Sequence, residues 1–463
     1  MTQGRVQAGF LSTLLCAGIL FFAFNATAEV QTPTTKEAKF KPGAVIYGVV
    51  PPLFGERPFK DVRAKLSEIK ELGADIVWLS PINKTDDPSQ ISYAVTDYLK
   101  VREDFGTAEE LRALVSDAKS LGLKVIMDFV PNHTSNQHPY FVDAEKNGTQ
   151  SRYFTYYDRD PKGLPTYYFD WAHLPNLNYA HPGVRKEMTD AFRYWISSFG
   201  LDGFRVDAAW GIKKRAPKFW KKLSDELAKD LPTTLLLAEA SATDAYYYLN
   251  GFDLAYDWTT QLGVWAWKKA FDNPTRIAEL LNQAILANPE PLRVARFLNN
   301  NDTGERFISR HGLDFTKVAV VFQHTVPGIP IVYTGDEIGA EYDPYQDPPP
   351  LTWKDPYSLR ALYRKLATLR EDLPALHSGS YERVSLGGKP KTLAYLRSTP
   401  KGEWALIVVN FGPRTRVSFG ITEKMRTTKS AKDLLNDRLT VDLRLKRASL
   451  DLPANSAFIL APH

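Results

Sequence analysis

The stretch "VIMDFVPNH", residues 125–133, is an apolar run that ends in an acidic residue and a polar turn. Three later stretches repeat this pattern: "GFRVDAAW" (203–210), "LLLAEA" (235–240) and "RFLNNND" (296–302). Short runs rich in Val, Ile, Leu and Phe predict buried β-strands. The acids that end the four runs are Asp128, Asp207, Glu239 and Asp302.

The apolar runs recur at nearly equal intervals along the chain. Asp207 and Glu239 are 32 residues apart, and Asp302 and Tyr333 are 31 residues apart. Amphipathic helical stretches separate the runs, and this alternation predicts a parallel sheet. Repeated strand–helix units of this length predict a (β/α)8 barrel over residues 44–375, with an open doubly wound sheet as the alternative.

One interval is much longer than the others. Asp128 and Asp207 are 79 residues apart, and the additional residues at 134–178 are aromatic and rich in turns. They predict an inserted domain, domain B, after the third strand. Its aromatic side chains are expected either to line a binding surface or to fill the core of this small domain.

The pattern changes again after residue 375. Short apolar runs such as "EWALIVVNF" (403–411) alternate with Gly, Pro and polar turns. Residues 376–463 therefore predict a C-terminal antiparallel β-sandwich domain. The stretch "KKRAPKFWKKLSDELAKD" (213–230) predicts an amphipathic helix with a solvated basic face.

The N-terminus predicts export from the cytoplasm. An apolar run of 15 residues at 10–24 precedes Ala26-Thr27-Ala28, the small-x-small pattern of a signal peptidase site. Residues 1–28 are thus predicted to be a signal peptide and 29–43 a linker, with the mature protein periplasmic or extracellular. The alternative, an uncleaved membrane anchor, needs a longer apolar run. Cleavage would remove the only cysteine, Cys16, and would leave no stable membrane association.

The composition is that of a globular protein. The chain has 463 residues, of which 44% are hydrophobic and 12% aromatic. Its net charge of +5 is small for this length and forms no long basic tract, so a nucleic-acid partner is not expected.

The four acids are expected to meet in space. Active sites of such barrels lie at the C-terminal ends of the strands, where all four acids fall. Arg205 and Asp207 are two residues apart, so in a strand they face the same side. Several carboxylates without a cysteine or histidine ligand set suit cleavage of a glycosidic bond better than metal chemistry.

From about residue 44 to residue 463, the chain resembles the alpha-amylase family, glycoside hydrolase family 13. The resemblance rests on "DFVPNH", "GFRVDAA", "LAEA" and "FLNNND", together with "LPNLN" at 174–178. It implies a retaining double displacement in which Asp207 is the nucleophile and Glu239 the acid and base. Asp302 would hold sugar hydroxyls and stabilise the transition state, while Asp128 would brace the site.

The resemblance also implies an oligosaccharide or polysaccharide substrate, bound by a monomer, for which the aromatic side chains of domain B could form a sugar-stacking wall. Tyr93 matches the aromatic platform under the sugar, His133 matches a residue that hydrogen-bonds a sugar hydroxyl, and Arg205 would keep the nucleophile ionised. Two positions depart from the family pattern. Trp210 stands where a lysine is common and would either stack on a sugar or pack internally. Asn301 stands where the family has histidine and would either contact substrate or hydrogen-bond loop backbone.

The resemblance leaves a structural calcium ion open. Asn132 matches a family calcium ligand, but Asn176 stands where the usual partner is an acid. Two neutral amides bind Ca²⁺ weakly, so the site would depend on further oxygens such as carbonyls. No organic cofactor is expected.

The expected function is hydrolysis of α-1,4-glucosidic bonds in starch-like polymers or maltooligosaccharides. One alternative within the family is a glucosyltransferase or isomerase of the sucrose or trehalose type. Another is a non-catalytic, membrane-tethered member that acts in binding. The presence of Asp207, Glu239 and Asp302 argues against the latter, because a binding protein has no need of all three.

Overall fold

A computed structural model describes residues 39–437 and 439–462. The predicted signal peptide and most of the predicted linker lie outside these residues. Near the end of that linker, Lys39 Nζ lies 3.0 Å from Asp253 Oδ2, so this part of the chain packs on the barrel. Across the described part of the chain, no helix is both long and apolar enough to cross a membrane.

Eight parallel strands form a closed barrel, which confirms the predicted (β/α)8 fold and excludes the open sheet. The strands, in chain order, are β1 (Ile46–Val49), β2 (Ile76–Leu79), β3 (Lys124–Phe129), β4 (Gly203–Val206), β5 (Leu235–Ser241), β6 (Leu254–Tyr256), β7 (Val294–Phe297) and β8 (Ile329–Tyr333). Each strand pairs with its sequence neighbours, and β8 closes the ring on β1 in parallel register. The strands are buried on both faces, which explains why they are almost continuously apolar.

Helices surround the barrel and follow its strands. The α-helices of the described residues are Pro58–Glu71, Ala108–Ser120, Pro139–Asn147, Pro182–Phe199, Ala209–Arg215, Phe219–Asp230, Tyr246–Leu249, Lys268–Phe271, Ile277–Leu286, Phe307–His311, Leu313–Thr325, Leu359–Asp372 and Pro374–Ser378. The single helix expected over 213–230 is instead two helices that meet near Pro217. This break turns Arg215 away from the solvated face on which the sequence pattern placed it.

Domain B follows β3, as the sequence predicts. Its ends are held together by bridges between His133 and Asn176 and between Tyr157 and Leu177. Tyr157 is buried in the domain, whereas Phe169 and Trp171 are about half exposed. The aromatic residues of the insertion therefore serve both as core and as surface.

Two antiparallel sheets form the C-terminal region, in agreement with the predicted β fold. Their strands are β9 (Ser380–Val384), β10 (Thr392–Ser398), β11 (Trp404–Asn410), β12 (Thr415–Gly420), β13 (Ser430–Asp433), β14 (Thr440–Asp442), β15 (Arg447–Leu452) and β16 (Ser456–Pro462). Six strands make one sheet in the order β9-β10-β11-β16-β13-β14, and β12 pairs with β15 in the other. The predicted boundary between residues 375 and 376 falls inside the helix Pro374–Ser378.

Candidate active site

Acids from three neighbouring strands meet at the barrel mouth. Asp128 lies in β3, Asp207 directly follows β4, and Glu239 lies in β5. Arg205 Nη1 is 2.7 Å from Asp128 Oδ1 and 3.1 Å from Asp207 Oδ1. Its Nη2 is 3.2 Å from Glu239 Oε2. One guanidinium thus contacts all three carboxylates, and Arg205 and Asp207 do face the same side of their strand.

Arg205 is fully buried beneath these acids. Its Nε donates a 3.1 Å hydrogen bond to Tyr256 Oη, and the guanidinium carbon is 5.3 Å from the centre of that ring. The rings of Trp78 and Tyr93 lie 5.7 Å away. A buried cation is stable only with such compensating contacts, so the surrounding acids and rings hold it in place.

Burial dominates the electrostatics of the acid pair. It raises the pKa of Asp207, the negative charge of Glu239 raises it further, and Arg205 opposes both effects. Burial also raises the pKa of Glu239, against the opposing charge of Arg205 and with a further rise from Asp302. The pair therefore retains a proton to higher pH than two isolated carboxyl groups do.

A strained backbone residue links the two acids. Ala208, which directly follows Asp207, has φ 44° and ψ 37°, in the left-handed region that non-glycine residues avoid. Its N–H donates a 2.6 Å hydrogen bond to Glu239 Oε2. Strain of this kind persists only where the surrounding structure imposes it, and it concentrates at functional sites.

Asp302 completes the cluster from the loop after β7. Its side chain is exposed in the cleft, where Tyr345 Oη donates to Asp302 Oδ1 at 2.9 Å. Asp302 N–H donates to Asn300 Oδ1 at 2.8 Å, which fixes the loop. The protein atoms around the cleft raise the pKa of Asp302, and Arg205 lowers it.

Comparison with known proteins identifies the family. A profile of the alpha-amylase catalytic domain matches residues 58–373, which is more than half of the chain. The chain belongs to the alpha-amylase family. It is thus a member of glycoside hydrolase family 13, as the four acidic stretches predicted.

Two relatives in this family cover most of the chain. The alpha-amylase MalA of Haloarcula japonica is 30% identical over 381 residues, 80% of this chain and 55% of the relative. A cyclomaltodextrinase of Thermoanaerobacter pseudethanolicus is 28% identical, covering 88% of this chain and 73% of the relative. The chain spans only 55% of the Haloarcula protein and 64% of an alpha-amylase of Dictyoglomus thermophilum.

Solved structures share the fold. A maltogenic alpha-amylase of Thermotoga neapolitana superposes with a TM-score of 0.76 at 23% identity, covering 90% of this chain and 98% of that one. An alpha-amylase of H. orenii has a TM-score of 0.76 at 25% identity, covering 92% and 100%. The architecture of this family member is therefore shared over nearly the whole length of both structures.

Tyr93 and Asn301 form a hydrogen-bonded wall of the site. Tyr93 Oη donates to Asp128 Oδ2 at 3.1 Å and accepts from Asn301 Nδ2 at 2.8 Å. Asn301 Nδ2 also donates to Tyr345 Oη at 3.0 Å. The side-chain amide of Asn301 thus bonds other side chains of the site and not loop backbone. The substrate contacts of Tyr93 and Asn301 stay predictions.

His133 is buried next to domain B. Its ring centre is 4.7 Å from that of Tyr168, and burial lowers its pKa to about 3, so the imidazole is neutral near pH 7. Its Nδ1 lies 3.1 Å from Asn132 Nδ2, which only donates. The proton of His133 therefore lies on Nε2, which no atom of the described residues hydrogen-bonds. The structure leaves a buried donor for the predicted sugar hydroxyl.

Trp210 lies on the first turn of the helix Ala209–Arg215 and contacts domain B. Its ring centre is 5.8 Å from that of Tyr168 and 5.4 Å from that of Phe169. The side chain is half-buried, so it is packed on one side and open on another. Both alternatives considered for Trp210 are compatible with this position, and its sugar contact stays a prediction.

Asn132, the predicted calcium ligand, has its oxygens already engaged. Arg215 Nη2 donates to Asn132 Oδ1 at 2.9 Å and to its carbonyl oxygen at 3.2 Å. Asn132 Nδ2 in turn donates to Asn176 Oδ1 at 3.2 Å. A guanidinium and an amide N–H thus bind the oxygens that a calcium ion would need, so this donor set does not fit Ca²⁺. Among the described residues, no group of three or more His, Cys, Asp and Glu could hold a metal.

Sequence reasoning missed three residues of the site. Tyr256 contacts Arg205 from inside the barrel, Tyr345 hydrogen-bonds Asp302, and Arg215 joins the barrel to domain B. Tyr256 is the last residue of β6, and its position at a strand end was the available signal. Tyr345 lies in an irregular loop that carries no periodic pattern.

Proposed function

We propose that this chain hydrolyses α-1,4-glucosidic bonds of starch-like polymers or maltooligosaccharides with retention of anomeric configuration. The observation that carries the proposal is the contact of one buried guanidinium, Arg205, with both Asp207 and Glu239. A double displacement requires two neighbouring carboxyl groups, one as the nucleophile and the other as acid and base. Relatives that are known as alpha-amylase, cyclomaltodextrinase and neopullulanase support an α-glucan substrate.

In the first step, a carboxylate oxygen of Asp207 forms a bond to the anomeric carbon as the glycosidic C–O bond breaks. Glu239 gives its proton to the leaving oxygen, so the departing sugar carries a neutral hydroxyl. Arg205 stabilises the Asp207 carboxylate before attack. Burial raises the pKa of Glu239, which favours the protonated form that a general acid needs.

In the second step, Glu239 takes a proton from water as the water oxygen attacks the anomeric carbon. Asp207 leaves as a carboxylate and the hydrolysed sugar departs. Asp207 carries no negative charge in the covalent intermediate, so the pKa of Glu239 falls and the same group can act as a base. The negative charge of Glu239 raises the pKa of Asp207, and this electrostatic interaction between the two acids supports the exchange of roles.

The remaining residues would hold the sugar. Tyr93 would lie under the ring at the cleavage point, and His133 would donate its free Nε2–H to a hydroxyl. Asp302 would exchange its hydrogen bond from Tyr345 for hydroxyls of the same sugar. These roles are supported by the unpartnered Nε2 of His133 and by the hydrogen bond of Tyr345 to Asp302.

The proposed location is the periplasm or the exterior of the cell, because of the predicted signal peptide at 1–28. N-terminal sequencing of the exported protein tests this proposal. A mature chain that begins at Glu29 agrees with it, and an intact N-terminus in the membrane fraction contradicts it.

Product analysis tests the reaction. The purified protein is incubated with starch, pullulan, maltooligosaccharides, sucrose and trehalose, and the first anomer released is followed by NMR. We expect α-anomers from starch or maltooligosaccharides. Initial release of β-anomers would contradict retention, and conversion of sucrose or trehalose with starch untouched would favour the transferase instead.

The catalytic assignment predicts a large effect of Glu239→Gln. Loss of the general acid is expected to slow maltooligosaccharide hydrolysis by about 10²- to 10⁴-fold while substrate still binds. The first step should be partly spared on a substrate with a good leaving group. Glu337→Gln is the matched control, because Glu337 is also a buried glutamate but bonds Tyr47 instead of the site. A Glu239→Gln enzyme that kept a tenth of the wild-type rate would place the acid elsewhere.

A further inference from the structure

A guanidinium lies in the contact between the barrel and domain B. This contact, formed by Arg215, Asn132 and Asp158, is called the seam below. Arg215 is the last residue of the helix Ala209–Arg215, and its side chain is 23% exposed. Its Nη2 donates to two oxygens of Asn132, in the loop after β3. Its Nε lies 2.6 Å from Asp158 Oδ2, in domain B. One cation thus ties a helix, a barrel loop and the inserted domain together.

The surrounding chain is shaped for this contact. A Cβ atom added at Gly211 would lie 2.3 Å from Asn132 Oδ1, so glycine allows the helix to approach the loop. Asp158 is largely shielded from solvent, and an unpaired carboxylate at this position would be costly. The guanidinium serves both partners, because it donates hydrogen bonds to Asn132 and forms an ion pair with Asp158.

We propose that the Arg215 guanidinium is the built-in cation of this seam and that the protein folds and acts without calcium. The guanidinium donates to both oxygens of Asn132, the residue that the sequence predicted as a calcium ligand. A calcium ion bound there would lie close to a fixed positive charge that repels it. A covalently attached cation also cannot dissociate, so the seam does not depend on the metal content of the surroundings.

The same contact makes Arg215 a positioning residue for the site. Because Asn132 Oδ1 accepts from Arg215, the amide nitrogen of Asn132 must face His133 Nδ1. That orientation fixes the proton of His133 on Nε2. Loss of the guanidinium would free Asn132 to rotate and would remove the fixed donor for the sugar.

Chelation of the wild-type protein is the first test. Melting temperature is measured after dialysis against EDTA and again in excess CaCl2, and the purified protein is analysed for metal. We expect the two melting temperatures to differ by less than about 1 °C, because a site that binds no calcium gains no stability from it. One calcium per chain, or a clear fall of Tm in EDTA, would overturn the proposal.

Substitution at Arg215 is the second test. Arg215→Met leaves Asp158 without its cation, and we expect Tm to fall by roughly 5 °C and KM to rise more than kcat falls. Arg215→Lys should recover part of the stability. Lys213→Met is the matched control, because Lys213 lies on the same helix but pairs with Asp244. Equal effects of the Arg215 and Lys213 substitutions would contradict a special role for Arg215.

Exchange of the built-in cation for a metal is the third test. The double variant Arg215→Met with Asn176→Asp removes the guanidinium and adds a carboxylate beside Asn132 and Asp158. We expect its Tm and KM to return toward wild-type values in CaCl2 and to worsen in EDTA. A double variant that shows no calcium dependence would mean that these oxygens do not form a cation site. If either variant fails to fold, chelation of the wild-type protein still decides between the two outcomes. The melting temperature measures the stability of the seam and does not depend on which reaction the protein catalyses.

Discussion

Arg205 sets the charge balance of the site. It is one positive charge in contact with three carboxyl groups, and all four groups are buried. The negative charge of three ionised acids would exceed the compensation that one guanidinium supplies. Burial therefore raises the pKa of Asp128 as well, while Arg205 lowers it. The acids therefore retain a proton more readily than isolated carboxyl groups do, because all three share one guanidinium.

Asn301 holds two tyrosines of the site through its side-chain amide. Its Nδ2 donates to both Tyr93 and Tyr345, and the residue is only 3% exposed. We expect Asn301→Ala to lower kcat/KM for maltooligosaccharides by about 5- to 150-fold, the equivalent of a lost hydrogen bond that strengthens in the transition state. Steady-state kinetics and melting temperature measure the two effects separately.

Asn301→His is the companion variant, because histidine restores a donor at this position and is expected to keep more activity than alanine. Activity of the alanine variant within twofold of wild type would show that Asn301 has no part in the reaction. A fall in Tm as severe as the fall in activity would make the role structural.

Glu337 yields a prediction about pH. Tyr47 Oη donates to its Oε1 at 2.8 Å, Oε2 has no partner within the described chain, and burial raises the pKa from 4.5 to about 7. The folded protein binds this proton more tightly than the unfolded chain. The stabilising effect is therefore complete below about pH 4.5 and is lost as pH rises through about 7.

Glu337→Gln should remove this dependence. Between about pH 4.5 and pH 8 we expect the free energy of unfolding of the variant to gain about 3 kcal/mol relative to wild type. Urea unfolding at several pH values measures it. Parallel pH curves for the two proteins would show that Glu337 does not titrate in this range.

Single residues also show where sequence reasoning ends. Asp207 and Glu239 were predictable because each ends an apolar strand, and strand ends of a barrel meet at one mouth. Arg215 was not, because the run "KKR" reads as solvent-exposed charge on a helix. Only the break between two helices near Pro217 turns this one cation inward. Charge periodicity carries no information about such a break.

Among the secondary-structure elements, the strands of the barrel were predictable from the sequence, whereas the edge strand β9 of the C-terminal sheet was not. Strands β1 to β8 are mostly apolar runs that alternate with helical stretches, so their order follows from the sequence. The edge strand β9 has the sequence "SYERV", with little apolar pattern, and gave no signal. Its place in the sheet depends on antiparallel pairing with β10, which propensity alone does not reveal.

The loop of domain B around Phe169 places an exposed aromatic ring beside Trp210. Phe169 has φ 48° and is 52% exposed, and its ring lies 5.4 Å from that of Trp210. Two aromatic faces at the mouth suit a sugar bound beyond the cleavage point. We expect Phe169→Ala to raise KM for long maltooligosaccharides about fivefold, because about 1 kcal/mol of stacking on the sugar is lost. On a short chromogenic substrate, kcat should be unchanged.

Leu445→Ala is the matched control for this prediction. Leu445 is also an exposed hydrophobic residue, 60% accessible, but it lies in the C-terminal region. Kinetics on a series of chain lengths separates the two variants. A KM change that is independent of chain length, or equal in both variants, would exclude a sugar contact at Phe169.

On the scale of the whole molecule, the barrel and the C-terminal sheet share one hydrophobic core. The cluster that contains the barrel helices also includes Tyr395, Ile407 and Ile459 from the sheet. A second cluster lies between the two C-terminal sheets. The described residues form one compact unit, so the sequence boundary near residue 375 separates two patterns and not two independent cores.

Arg397 holds this shared core together from the sheet side. It is fully buried, and its guanidinium donates to the carbonyl oxygens of Thr325 at 2.6 Å, Gly379 at 2.9 Å and Ser380 at 3.0 Å. Thr325 is the last residue of the helix Leu313–Thr325, whose C-terminal carbonyls attract a cation. Burial lowers the pKa of Arg397 to about 9, so it is still charged at neutral pH.

A shared core predicts a single cooperative unfolding transition. Differential scanning calorimetry should show one peak for wild type, and Arg397→Met should move that whole peak to lower temperature. The variant leaves the buried carbonyl groups of Thr325 and Gly379 without the donors of Arg397, at a cost of about 1–3 kcal/mol for each unsatisfied group. Arg383→Met is the matched control, because Arg383 is exposed on the neighbouring strand β9 and its loss should leave Tm nearly unchanged. Two peaks, of which Arg397→Met shifts only one, would show that barrel and sheet unfold separately and that the buried contacts of Arg397 do not couple them.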